Sequence, residues 1–234
     1  MKIPQSWRRR YYFERLESAV TVKRMLAGRE ILFFVEPPRP DWFYPCTVDD
    51  ICTVLEHCPP EDLRLIDFIV LRQHTRKQRL LSPVWGRAQY YYDLASHSGS
   101  AIMIEAQSLE TIRWSEASIH PESQRELERL RADGHTICQT RRGIDIIPSP
   151  ASLRHTLLYR TVLHELGHHV DYFDRCPPGE WWSRTSSSKE DFAHRYAAEC
   201  YRTLELQGIV PFAPKLEQDV LVKDGLDPAW FTAP

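Results

Sequence analysis

No stretch of about 18 apolar residues occurs in the chain, so nothing in it reads as a membrane-spanning helix. Nor does either charge dominate. The 30 basic and 32 acidic residues leave a formal net charge of −2, too weak a field to argue for nucleic acid or an anionic membrane surface as partner. The six cysteines (46, 52, 58, 138, 176, 200) include no CxxC pair. The spacing of six between the first three would scatter them about 240° apart on a helix rather than gather them on one face. Reduced thiols in a cytoplasmic protein are therefore expected, not a disulfide framework. Internal repeats, low-complexity tracts and linkers are also missing, which argues for one domain over residues 1–234, with 1–60 a candidate N-terminal appendage. Arg8-Arg9-Arg10 before Tyr11-Tyr12-Phe13 has the outline of a twin-arginine signal. However, Glu14-Arg15-Leu16-Glu17-Ser18 puts charge where an apolar region belongs, and export is not expected.

The pattern along the chain is mixed strands first and two helices later. Residues 1–30 read as a charged helical start. Glu30–Glu36 reads as a short apolar strand ended by Pro37-Pro38, and a helix begins at Thr47-Val48-Asp49-Asp50 and stops at Pro59-Pro60. Leu65–Leu71 suits a buried strand, Arg72–Arg79 a basic turn, and Ala88–Leu94 and Ala101–Ala106 two further strands around Ser98-Gly99-Ser100. A polar helix spans Glu122–Ala132, opened by Pro121 and closed before Gly134, and a short strand near Ile144–Ile147 follows. Residues 210–234, with Pro211, Pro214 and Pro228, read as an irregular tail. The order of elements is that of an α+β domain.

The chemistry concentrates in Thr161–Phe173, TVLHELGHHVDYF. A random HExxH is expected only about 0.03 times in a chain of this composition. Taken as one helix over Leu153–Phe173, with His164 at 0°, His168 falls at about 40°, Asp171 at about 340° and Glu165 at about 100°. Val162, Leu163, Leu166, Val170 and Phe173 fill the opposite face, at about 160–260°. Two imidazoles one turn apart converge on one ion, and the glutamate just off their axis can take a proton from water without ligating the metal. Glu165 is thus the candidate general base. Asp171 is a candidate carboxylate for holding an imidazole N–H. His169, at about 140°, reads as a packing or surface histidine. Gly167 costs helix propensity of about 1 kcal/mol and suits close approach of another element. Tyr172 and Tyr196 are weak candidates for donating to an oxyanion.

A zinc site of this type needs a third protein ligand, and three residues compete. Asp174 lies six after His168, but without a glycine to turn the chain it falls at about 280°, off the metal face. Glu190 opens a new helix running to about Leu206, where Ser187-x-x-Glu190 can also be read as a capping box. His194 lies one turn further on, beside small Ala193 and Ala197, which would allow this helix to approach the motif helix closely.

HELGHHVD followed by Glu190-Asp191-Phe192-Ala193 resembles the gluzincin-type metallopeptidases related to the catalytic domain of anthrax lethal factor and to bacterial and phage zincin-like peptidases, whose second helix carries E-x-F-A-E. The resemblance covers Thr156 to Tyr196. It implies Glu190 as the third zinc ligand. It also implies a zincin-like α+β fold, with a small twisted mixed sheet above a two-helix active-site layer, and an edge strand that pairs with extended substrate, for which Ala101–Ala106 is the candidate. His194 stands where the family has its second glutamate. The expected function is a zinc-dependent endopeptidase acting on protein or peptide. Its Zn2+ would be held by His164, His168 and Glu190, with Glu165 activating water. Two alternatives stay open: a zinc-binding regulatory or structural module without proteolysis, and a hydrolase of a non-peptide amide.

Overall fold

The structure is a computed structural model that describes residues 12–13, 16, 18–81, 84–94, 96–115, 121–177 and 179–234. The arginines at 8–10 and the first part of the expected charged start lie outside the described residues. Six strands form one twisted mixed sheet: β1 (Tyr12–Phe13), β2 (Val20–Leu26), β3 (Arg29–Val35), β4 (Phe68–Arg72), β5 (Gly86–Leu94) and β6 (His97–Glu105), in the order β1-β5-β6-β4-β3-β2. β3, β4 and β6 run parallel, and β2 and β5 run antiparallel to their neighbours β3 and β6. A small antiparallel sheet, β7 (Ile112–Trp114), β8 (Thr136–Thr140) and β9 (Gly143–Ile147), stands beside it in the order β7-β9-β8. Two helices, α1 (Val48–Leu55) and α2 (Pro60–Leu63), connect β3 to β4, α3 (Arg76–Leu81) follows β4, and α4 (Pro121–Ala132) packs Leu127 and Leu130 on Ile144 and Ile146 of the small sheet.

Residues 20–26, expected to be helical, are instead a strand. Only Val22 and Leu26 of β2 are buried, a period of four on a half-wet strand that imitates a helix. The hairpin joining β2 to β3 turns through Ala27 (φ 48°) and Gly28 (φ 77°), both left-handed as a two-residue turn requires. β2 and β3 are integral to the main sheet rather than an appendage to it. The expected basic turn is the end of β4 followed by a short helix, α3 (Arg76–Leu81).

The main sheet buries both faces. Phe33, Val35, Ile69, Leu71, Ile102 and Ile104 point toward the helices, and Phe34, Phe68, Val70, Ala101 and Met103 form a second cluster on the other face. The helix-side core is completed by a long rod: α5 (Pro150–Arg154), a π-helical stretch (His155–Thr161), α6 (Val162–Val170) and a second π-helical stretch (Asp171–Arg175). It starts at Ser149, whose hydroxyl accepts from the Ser152 N–H in a reciprocal capping box, with Pro150 in the first turn. Its apolar stripe of Leu157, Leu158, Val162, Leu163, Leu166 and Val170 packs on the sheet, while the opposite stripe of α6 carries the histidines. Helix α7 (Ser186–Leu206) lies against this rod. Residues 210–234 are more ordered than expected: α8 (Gln218–Lys223) and a 3-10 turn (Pro228–Phe231) set Leu221, Leu226 and Phe231 into the core. None of the six cysteines is bridged. No helix among the described residues is long and apolar enough to cross a membrane.

Candidate metal centre

α6 runs beneath β5 in the same direction. Gly86 lies over Thr161 and Glu165, and His169 reaches Ala101, the register partner of Gln89. A Cβ at Gly86 would stand 2.6 Å from Thr161 Cγ2 and 3.2 Å from Glu165 Cγ, so glycine lets the strand settle onto the helix. α7 runs antiparallel to α6. Glu190 meets His164 and His168, His194 meets His164, and Tyr201 meets Tyr159 and His155 further back along the rod. The approach is close because Gly167 has no side chain: a Cβ there would be 3.1 Å from Tyr196 Cβ and 3.2 Å from Ala193 Cα. Ala193 and Ala197 are both buried in this seam.

Glu190 is not a capping residue. The helix begins two residues earlier than the Ser187 reading requires, and Thr185 is the cap, its hydroxyl accepting from the Ser188 N–H at 3.2 Å. The Glu190 carboxylate spans the two histidines, with Oε2 3.2 Å from His164 Nε2 and Oε1 3.4 Å from His168 Nε2. These separations are informative. A charged imidazole–carboxylate hydrogen bond measures about 2.7–2.9 Å. Two donors each about 2.0–2.1 Å from one tetrahedral zinc stand about 3.3–3.4 Å apart. Each imidazole nitrogen thus stands from a Glu190 oxygen as two ligands of one zinc would, and the donors that group within 4.8 Å of one another among the described residues are those of His164, Glu190 and His194. Burial alone would raise the Glu190 carboxyl, but its contacts with His164 and His168 hold it below the usual range. For His168, burial acts to lower the ring pKa, and Glu190, Glu165 and Asp171 outweigh it and raise it.

Glu165 is buried beside this cluster, close to the backbone of Ala88 on β5. Burial raises its carboxyl above the ordinary value, only partly offset by His164 and His168. Asp174, in contrast, is exposed and paired with Arg175 Nε at 3.3 Å, away from the histidines. Asp171 is buried but does not hold an imidazole: its Oδ1 accepts from Arg184 at 2.6 Å, and Oδ2 has no hydrogen-bond partner among the described residues. The Nδ1 atoms of His164 and His168 are likewise buried and unpartnered there. His169 is a packing residue, fully buried, with Nε2 3.0 Å from the Ala101 carbonyl oxygen, and burial lowers its pKa to about 4. Tyr196 and Tyr172 are committed elsewhere, donating to Asp62 and to the Tyr91 hydroxyl.

Ala101–Ala106 is not an edge strand, because β6 lies between β5 and β4. The strand over the site is β5, whose outer side takes a strand partner only at Tyr92 and Asp93 among the described residues. The cleft below it, about 630 Å³, is walled by Trp85, Tyr90, Trp114 and Trp181 and opens onto His164, Glu165, His168 and Glu190. Tyr90, Ala88 and Trp181 reach the site from positions that no local sequence pattern singles out. Tyr90 is stacked on Tyr172 at 4.0 Å, and burial, then Glu165, Asp171 and Glu190, push its hydroxyl pKa upward, so it stays protonated. Comparison of the chain with protein-family models, curated proteins and solved structures finds no match.

Proposed function

We propose that this chain is a zinc-dependent metallopeptidase of zincin-like, gluzincin type, with His164, His168 and Glu190 holding the metal and Glu165 acting as general base. The observation that carries the reading is the 3.2 and 3.4 Å separation of the two imidazole nitrogens from the two oxygens of one carboxylate, the spacing of ligands around a shared tetrahedral ion. A zinc ion held there supplies Lewis acidity, polarising the scissile carbonyl and lowering the pKa of water toward about 7. Glu165 takes a proton from the attacking water and passes it to the leaving amine nitrogen. Its position against β5, beside Gly86 and the Ala88 backbone, orients it. Extended substrate pairs with the outer side of β5, which sets the peptide across the cleft above Glu165. Tyr90, kept protonated in the cleft wall, is a hydroxyl donor available to a developing oxyanion.

The test is Glu165→Gln in zinc-loaded protein, assayed against a peptide library beside the wild type. The variant should bind zinc as the wild type does and lose cleavage by about 100-fold or more. Undiminished cleavage by the variant would remove Glu165 from the mechanism. If the wild type binds zinc and cleaves no peptide, while a non-peptide amide panel also stays intact, the remaining reading is a metal-binding module.

A further inference from the structure

We infer that His194 is a fourth protein donor to the metal held by His164, His168 and Glu190, an inference that rests on reading the cluster as a zinc site and adds a ligand to it. Ligand atoms of His164, Glu190 and His194 all lie within 4.8 Å of one another, and the His164 and His194 ring centroids are 4.4 Å apart. Two donors at about 2.1 Å from one tetrahedral ion stand about 3.4 Å apart, so a ring movement of at most about 1.4 Å brings His194 into the same sphere. The helix geometry favours it. Glu190 and His194 are one turn apart on α7, the same i, i+4 relation by which His164 and His168 share a face of α6. With α7 antiparallel to α6, Glu190 spans the two histidines of the motif, and His194 falls opposite the first of them. The seam of Gly167, Ala193 and Ala197 holds the two faces at that distance. His194 is half-buried and held by ring contact with His164.

Three imidazoles and one carboxylate fill the four positions of a tetrahedral zinc, whereas catalysis needs one position open. The site therefore rests closed, and release of the His194 side chain opens it to water and substrate. No backbone movement of α7 is required, because Glu190 alone keeps the helix tied to the other two ligands.

Cobalt(II) is the probe, since its visible absorption reports coordination number and donor set without any substrate. The full chain, His194→Ala and His194→Gln are loaded with cobalt and titrated with azide, with far-UV circular dichroism checking the fold. The variants should bind cobalt at least about tenfold more weakly than the wild type. Their visible bands should differ from the wild type's and shift at azide concentrations that leave the wild type unchanged. X-ray absorption at the zinc edge of the zinc-loaded wild type should count three imidazoles, a measurement that stands even if both variants fail to fold. Two imidazoles in the wild type, or equal affinities, spectra and azide responses in all three proteins, would overturn the proposal and leave the three-donor centre standing. Failure of the wild type to bind either metal would overturn both.

Discussion

Gly167→Ala separates the packing of the two site helices from their chemistry. The added Cβ would sit 3.1 Å from Tyr196 Cβ and Cδ1 and 3.2 Å from Ala193 Cα. Carbon atoms rest about 3.5–4.0 Å apart, so α7 must withdraw by about 0.5 Å. The obstructing atoms are a Cβ and a backbone Cα, which cannot swing aside. Replacing an interior helical glycine gains about 1 kcal/mol of propensity. Overpacking of this kind costs about 1–3 kcal/mol. The net result is a loss of about 0–2 kcal/mol in metal-free protein. The larger effect falls on the metal, because Glu190 lies one turn before Ala193 on α7. A retreat of about 0.5 Å stretches its contacts with His164 and His168 beyond the roughly 3.3 Å edge that a shared zinc requires, and zinc affinity should fall at least about tenfold. Urea unfolding of the metal-free protein and zinc competition against a chromophoric chelator read the two quantities separately. A variant that gains about 1 kcal/mol in stability and binds zinc unchanged would refute the claim that Gly167 sets the separation of the donors.

Gly86→Ala tests the strand above the site: its Cβ would stand 2.6 Å from Thr161 Cγ2 and 2.8 Å from the Met103 carbonyl oxygen, so β5 should lift from Glu165. Peptide cleavage should drop with zinc content unchanged, and unchanged cleavage would mean that the Ala88 contact does not orient Glu165. Asp133 ties α4 and the small sheet to the motif rod, accepting from Thr156 at 2.7 Å and Arg160 Nε at 2.8 Å, with His155 Nδ1 at 3.1 Å. Burial alone would raise its carboxyl, but His155, Arg160 and Thr156 hold it below the ordinary value. A carboxyl lowered on folding contributes stability above its unfolded pKa of about 3.9, and that contribution is lost as pH falls through the folded value. Asp133→Asn should therefore cost on the order of 3 kcal/mol at neutral pH and converge on the wild type in acid. A cost independent of pH between neutrality and acid would show that ionisation of Asp133 is not what the network uses.

The histidine pair and Glu165 were legible because their chemistry is local: an i, i+4 pair and an apolar stripe on one helix are written in thirteen consecutive residues. Glu190 was harder to read, since the run Ser186-Ser187-Ser188 offers several caps and only the fold selects Thr185, freeing Glu190 to face the histidines. The edge strand was misread for a physical reason. Ala101–Glu105 is fully buried, and a continuous apolar run marks a strand covered on both faces, hence one inside a sheet. The mixed, half-buried pattern of Gly86–Leu94 is what an edge beside a cleft carries. The β2–β3 hairpin was hidden by its Ala27-Gly28 turn, which puts a non-glycine residue at positive φ; of the small sheet, β9 registers near Ile144–Ile147, whereas β7 and β8 are too brief or too polar to do so.

Zinc content after reconstitution of the wild type, Glu190→Ala and Asp174→Ala, measured by elemental analysis, tests the central claim most directly. One zinc per chain is expected in the wild type and in Asp174→Ala, with the metal lost or greatly weakened in Glu190→Ala. A wild type that holds no zinc, or a Glu190→Ala variant that holds it as tightly as the wild type, would contradict the metal centre on which the peptidase reading stands.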